Sequence, residues 1–508
     1  MSLNQNPASN PATQNVVGLP AKEKRKRSGI HLDTIGPTDQ PPSLPDLTPD
    51  AYAKQCNLAD ERCARIAMHL MHRHCAVIQI GSNVRIAYTV PTTTSDTIGP
   101  HRLERPTVRT TFLKRADFIN LFEGTLVWVD HAGAPKPMSL AEAWLKSPTR
   151  RQFNRVVYDP GAPATTEVFN LWHGWGVKPK PGDWSILREH IIDNLCRGDQ
   201  ELAAWVLDWM ADIYQTPHRK PGTAIAIKGE KGTGKTKLSE WLSYITGDSI
   251  VVDKAEHLTG NFNAHLANKI LVTADEAMWG GARQSVGALN TLITSASLTV
   301  ERKGVDAEEM RSLHRVIIIG NNDWLVPATR DERRYLVLEA GTDRQQDKAY
   351  FAALDRQMAN GGAAAMLHDL CRREITHDVT TAPRTVGLGH QIAQGLKPIE
   401  RLLVRLANEG MLRNTRGETV IEIKADAEST ASKAAFGELV DSVYGRNYAP
   451  REVGGATKAA GIRSHRPHGD KRNLIFPPVA VFTENLERHL RTPLAVLAGS
   501  DECEADDE

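Results

Sequence analysis

Apolar positions along the chain change their spacing several times, and each change marks a different kind of element. Residues 58–74 set Ile66, Leu70 and Met71 at helical intervals. Residues 75–80 and 84–90 are apolar runs flanking Gly81-Ser82-Asn83, which predicts two strands joined as a hairpin. Helices are expected over 185–196 and 200–215. From 221 to 340, short continuous apolar runs alternate with loops and helical stretches, the pattern of a parallel α/β sheet. Strands are expected at 224–228, 250–252, 269–274, 315–319 and 335–338, followed by helical spacing over 345–375. A smaller module opens with a helix that carries Ile399, Leu402, Leu403 and Leu406 on one face. It continues through a helix at 436–443, a basic segment from Arg446 to Arg472 and a strand at 473–476. Helices, a basic segment and a terminal β-element predict a winged-helix-like domain that docks on DNA. A helical subunit-contact domain is the alternative.

Composition divides the 508 residues further. Residues 1–50 hold eight of the 28 prolines and no aromatic residue, so they are expected to form a disordered arm. Its basic cluster is Lys22, Lys24, Arg25, Lys26 and Arg27. An N-terminal α+β domain is then expected over 51–195, a sheet domain over 196–380, the winged-helix-like domain over 396–492 and an acidic tail over 493–508. Apolar content of 41% and charged content of 24% are those of an ordinary globular chain, which excludes a collagen-like or wholly disordered protein. No apolar run reaches the roughly 20 residues of a membrane span, and the polar N-terminus opens no signal peptide. Six cysteines in so long a chain point to a reducing, cytoplasmic setting. Cys56, Cys63, His69, His72, His74 and Cys75 cluster without a C-x-x-C pair, so core packing is a simpler account than zinc. The 62 basic and 61 acidic side chains leave a net charge of +1, an average that does not exclude basic patches.

Candidate chemistry begins at Gly229-Glu230-Lys231-Gly232-Thr233-Gly234-Lys235-Thr236, a G-x-x-x-x-G-K-[ST] loop between an expected strand and an expected helix. The glycines let the backbone wrap phosphates, and the helix that follows presents its positive end to the same anion. Lys235 is expected to reach the β- and γ-phosphates of ATP, and Thr236 to ligate Mg²⁺. The strand at 269–274 ends in Asp275 and Glu276. Hydrolysis needs one carboxylate in the Mg²⁺ shell and one to polarise water, roles that suit Asp275 and Glu276 in that order. A capping pair on the next helix is the alternative. The strand at 315–319 delivers Asn321 and Asn322, and Asn321 is a candidate partner of the γ-phosphate or the attacking water. Arg330, Arg333 and Arg334 precede the last strand. Arg333 first and Arg334 second are candidates to stabilise transition-state charge in a neighbouring subunit. A strand running from 298 into a turn carries Arg302 and Lys303, suited to a phosphate backbone.

In this order, the motifs between Gly229 and Arg334 resemble the superfamily 3 helicases of viruses, phages and plasmids, and most closely the helicase-type domain of phage and plasmid primase–helicase proteins. Trp144-Leu145 with Arg150-Arg151, Asp159-Pro160 and Asn170-Leu171-Trp172-His173-Gly174 are similar to that family's lead-in. So are Gly260-Asn261-Phe262-Asn263, Leu292-Ile293-Thr294 and Glu301-Arg302-Lys303-Gly304. The resemblance implies an AAA+-like P-loop NTPase core that assembles into a ring, usually a hexamer, and moves on single-stranded or forked DNA using ATP and Mg²⁺. Lys235, Thr236, Asp275, Glu276, Asn321, Arg333 or Arg334, and Lys303 match the family's functional positions. No acidic catalytic constellation precedes the core, so primase activity is not assigned; a separate primase or initiator is the expected partner. The expected function is an ATP-dependent DNA helicase or translocase of phage, prophage or plasmid replication. The alternative is an ATP-gated assembly module without unwinding activity.

Overall fold

The computed structural model describes residues 29–35, 44–80, 82–162, 167–259, 263–276, 283–302, 305–329, 331–414, 416–444, 450–465 and 472–497. The chain divides into two compact units. One comprises Met1–Pro91, Val108–Val156 and Thr165–Phe169, the other Thr92–Thr107, Val157–Ala164 and Asn170–Glu508.

In the first unit the helix Glu61–His74 starts on Asp60, whose side chain accepts from the Cys63 N–H, and it buries Ala64, Ala67, Met68, Leu70 and Met71. It leads into β1 (Cys75–Ile80), which pairs antiparallel with β2 (Asn83–Ile98) from Cys75↔Tyr88 to Ile80↔Asn83. The expected hairpin is present, but β2 runs eight residues beyond the expected end at 90, and β3 (His101–Leu113) pairs along it. The extension carries Thr92, Thr93, Thr94 and Thr97. These residues favour extended backbone without giving an apolar alternation to read. Residues 29–35 correct the expectation of a disordered arm over 1–50. The Ile30 N–H donates to Trp128 O at 2.8 Å, and Ile30 and Ile35 are fully buried. Composition averaged over 50 residues hides two isoleucines. Residues 49–50 likewise open the helix Pro49–Gln55, capped by Thr48. The basic cluster of the arm lies outside the described residues. Among the described residues no group of three or more His, Cys, Asp or Glu is placed to hold a metal ion.

The second unit is built on a parallel sheet. After α1 (Gln200–Gln215) come β4 (Ala224–Lys228), α2 (Lys237–Thr246), β5 (Ser249–Val252), β6 (Leu271–Asp275), the hairpin β7 (Ser297–Arg302) and β8 (Val305–Arg311), β9 (Arg315–Gly320) and β10 (Tyr335–Glu339). The sheet order is β5-β6-β9-β4-β10 with every pair parallel. These strands are continuous apolar runs because both faces are covered. Ala224, Ala226, Val316, Ile318 and Val337 enter one core. Their neighbours Ile225, Ile227, Ile317, Ile319, Leu336 and Leu338 enter the other. The second core is closed by α1, α2 and α4 (Ala363–Arg372), which follows α3 (Lys348–Gln357).

The first core takes in the helix Arg283–Thr294, α5 (Val386–Gly395) and the helix Pro398–Glu409. It continues without a break into the C-terminal module. There a three-stranded sheet sets Asn473–Phe476 between Ser429–Ser432 and Arg463–His465, among the helices Lys433–Tyr444, Pro450–Ala459 and Val479–Leu490. Only the central strand of this sheet was expected; the flanking ones are short and polar. The acidic tail assigned to 493–508 is corrected at its start. Leu494–Leu497 is a short helix, and Leu494 and Leu497 are buried in the same core as α5. No helix of the described residues is long and apolar enough to cross a membrane.

Candidate functional site

Parallel strands bring their carboxyl ends to one edge of the sheet, where ligands of open α/β sheets bind. The register pairs Asp275 with Ile319, Gly320 with Lys228, and Glu339 with Lys228. The loops leaving β4, β6, β9 and β10 therefore stand side by side.

The glycine-rich loop joins β4 to α2. Gly232 and Gly234 have φ of +85° and +79°, conformations that other residues rarely adopt. A Cβ on Gly234 would lie 2.4 Å from the Phe351 ring, and one on Gly229 3.0 Å from the Ala340 Cβ. Five consecutive carbonyls of the loop are engaged by protein donors. Glu230 O accepts from Thr233 Oγ1 at 2.9 Å, Lys231 O from Gln345 Nε2 at 3.3 Å and Gly232 O from the Gln346 N–H at 2.9 Å. Thr233 O accepts from Asn194 Nδ2 at 2.8 Å and Gly234 O from His190 Nε2 at 3.2 Å. A loop held by its carbonyls turns its N–H groups to an outside anion. Lys235 is buried, with Nζ 3.4 Å from Glu230 O. Thr236 directly precedes α2. Lys237 is paired with Asp355 at 3.0 Å and Glu240 at 2.9 Å.

Asp275 is half-buried and Glu276 exposed. Burial first, and the charge of Glu276 second, push the Asp275 carboxyl above its ordinary range, against the pull of Lys235. Glu276 has φ +51°, a strained position for a non-glycine residue, and its N–H donates to Ile319 O at 2.8 Å. The two adjoining carboxylates and the Thr236 hydroxyl at the start of α2 are oxygen donors of the kind a divalent cation takes. Asn321 is exposed immediately after β9.

The arginine loop lies at the opposite edge, since it enters the amino end of β10. That five-residue strand separates it from the glycine-rich loop by roughly 16 Å. The buried Glu332 carboxylate accepts from the backbone N–H groups of Arg333 and Arg334, and holds the Arg334 guanidinium in a bidentate pair at 2.8 and 2.7 Å. Arg333 is exposed. Of the two candidates, only Arg333 is presented outward. Arg330 and Lys303 lie outside the described residues. Arg302 pairs with Val305 at the closed end of the antiparallel β7–β8 hairpin.

Sequence reasoning missed His190, Asn194, Gln345, Gln346 and Phe351. The loop after β10 was findable, because it leaves the carboxyl end of a central-domain strand as the others do. His190 and Asn194 carry no local signal. Burial holds His190 at about 4, against an ordinary 6.5, so it is neutral at pH 7. His314 and His72 are lowered to about 4 by the same cause. The unfolded chain binds these protons first, so stability is lost as pH falls from about 6.5 toward 4. Urea midpoints should drop as pH falls below 6.5, and His190→Asn should remove part of that drop.

Residues 227–334 match the model of a family described as a family of unknown function, DUF5906. Over 193 residues the chain is 28% identical to a DNA primase-polymerase of Nitratiruptor phage NrS-1, across 36% of this chain and 27% of that protein. The chain thus matches about a quarter of the length of that relative. In fold it resembles the apo structure of the NrS-1 C-terminal region (305–718), with a TM-score of 0.53 and 16% identity over 74% of this chain and 94% of that one. A second apo structure of that region gives 0.51 at the same coverage. The chain is therefore similar to part of a phage primase-polymerase in sequence, and to its C-terminal region in fold.

Proposed function

We propose that this chain is an ATP-dependent DNA helicase or translocase of phage, prophage or plasmid replication, acting in the host cytoplasm as a ring of the superfamily 3 type, hexameric by that resemblance. The observation that carries the reading is the division of the candidate groups between two edges of one sheet. The glycine-rich loop, Asp275, Glu276 and Asn321 share one edge, while Arg333 is exposed at the other and serves a neighbour's site rather than its own. The strand order supports an AAA+-like P-loop core.

In this mechanism the loop N–H groups and Lys235 hold the β- and γ-phosphates of ATP, and Asn321 hydrogen-bonds the γ-phosphate or the attacking water. Thr236 and Asp275 would hold Mg²⁺, which would supply neutralisation of phosphate charge when bound. Glu276 accepts a proton from the attacking water. Arg333 of the adjoining subunit stabilises charge on the transferred group. Arg302 and Lys303 contact the backbone of single-stranded or forked DNA. The C-terminal module acts as a winged-helix-like DNA contact, a role supported by the exposed Arg451, Lys458, Arg463 and Arg472. Likeness to a phage primase-polymerase supports a place in replication, with a separate primase or initiator as partner.

The test is DNA-stimulated ATP hydrolysis paired with unwinding of forks bearing 5′ or 3′ tails. Stimulation with strand displacement is expected. Hydrolysis without displacement would favour the ATP-gated module, and absence of hydrolysis would overturn both. Glu276→Gln should bind ATP and turn it over at least about a hundredfold more slowly. Normal turnover would remove Glu276 from its role.

A further inference from the structure

A side chain from outside the β7–β8 hairpin holds the hairpin's root. Lys220, in the loop between α1 and β4, donates from Nζ to Leu292 O at 2.6 Å, to Ser295 O at 2.8 Å and to Ser312 Oγ at 2.8 Å. Leu292 O and Ser295 O lie at the C-terminal end of the helix Arg283–Thr294, where carbonyls lack helical donors and a cation is favoured. Ser295 and Ser312 bracket the hairpin, one just before β7 and the other just after β8. The Ser312 N–H also donates to Ala296 O at 2.8 Å. One amino group thus ties the helix end to both strands.

Neighbouring hydrogen bonds fix how many hydrogens Lys220 must give. Leu266 O, 2.9 Å from His314 Nε2, can only accept, so Nε2 carries the hydrogen. Burial holds His314 at about 4, so its ring is neutral and Nδ1 is bare. The Ser312 hydroxyl, 2.8 Å away, then donates to Nδ1 and leaves its oxygen only to accept. Two carbonyls and this oxygen need three hydrogens, which an ammonium has and an amine lacks. Burial first, and the charge of Arg315 second, draw the Lys220 amine down to about 7 from 10.5, against that demand. Among the described residues no carboxylate pairs with Lys220; Asp212 is taken by Arg315 at 2.8 Å and by Arg219 at 2.7 Å.

A second brace meets the same root. Arg311, the last residue of β8, reaches Asp159 at 3.3 Å and donates to His218 O, two residues before Lys220. Asn170 fixes Asp159 in turn, accepting from its N–H at 3.1 Å and donating to its carbonyl at 2.9 Å. We propose that Lys220 is the positioning residue of the hairpin, its ammonium setting the direction in which the strand end that carries Arg302 is held toward nucleic acid. The inference rests on the reading of Arg302 and Lys303 as DNA contacts and adds to it the group that aims them.

The experiment compares the full chain with Lys220→Met, and with Ser312→Ala as a milder variant should the first fail to fold. Amide hydrogen exchange over 297–302 and 305–311 should quicken about tenfold or more, while that of β4 and β10 holds. The Kd for a labelled single-stranded DNA, read by fluorescence anisotropy, should rise about tenfold, the worth of one charge-assisted hydrogen bond. ATP turnover without DNA should stay within about twofold of wild type, whereas a general loss of structure would lower it. In a chain already carrying Arg302→Ala and Lys303→Ala, Lys220→Met should raise Kd by less than about twofold, because it acts through those contacts. Unchanged hairpin exchange in both variants would overturn the clamp, and faster exchange with an unchanged Kd would overturn its link to DNA. If Arg302→Ala with Lys303→Ala by itself leaves Kd unchanged, the DNA-contact reading falls, and this inference with it.

Discussion

Lys235→Ala is expected to lower ATP turnover by at least about a hundredfold while leaving the chain folded. Lys235 is buried at the loop, and its charge already opposes the upward push on the Asp275 carboxyl. It therefore stands where negative charge of a bound triphosphate would concentrate, in a setting with little water to screen it. Its hydrogen bond to Glu230 O is long at 3.4 Å, and Glu230 O also has Thr233 as a donor, so truncation leaves no carbonyl unpaired. Phosphate release measures the first effect, and circular dichroism with thermal melting the second. Turnover within a few-fold of wild type would sink the assignment. Lost turnover with a lost fold would be read again in Lys235→Met, which keeps the packed stem.

Arg333→Ala should lower turnover by about 10³-fold or more without changing the stability of the isolated chain. Arg334→Ala should do the reverse in part: it strips the guanidinium from the buried Glu332 carboxylate, at a cost on the order of 2 kcal/mol, softened because two backbone N–H groups still donate to that carboxylate. The contrast separates a group that acts across a subunit boundary from one that shapes the loop. Mixing Arg333→Ala chains with Lys235→Ala chains should restore some turnover, since some boundaries then join an intact arginine to an intact loop. No recovery in assemblies verified as mixed would count against Arg333.

The sheet was legible because strands buried on both faces are unbroken apolar runs; 224–228 and 335–338 agree with β4 and β10 to within a residue. The glycine-rich loop and the acidic pair were legible because their groups are contiguous in sequence. The choice between Arg333 and Arg334 was not, since it depends on which one the buried Glu332 captures. Nor was the lining of the space beside the glycine-rich loop. Gly99-Pro100 and Phe351 lie some 250 residues apart in sequence, and the threonine-rich arms that present the turn carry no apolar rhythm.

The core that runs from the sheet through α5 into the C-terminal module has a consequence for dissecting the chain. Ala226, Val316 and Val337 of the sheet share one apolar mass with Leu403, Phe436, Phe476 and Phe482. Leu494 and Leu497 return to it at the end of the described residues. A fragment cut after residue 395 would carry a bared, greasy flank and self-associate rather than behave as a free-standing domain. The two parts should melt in one calorimetric transition, so the C-terminal module is welded to the parallel sheet and not tethered to it.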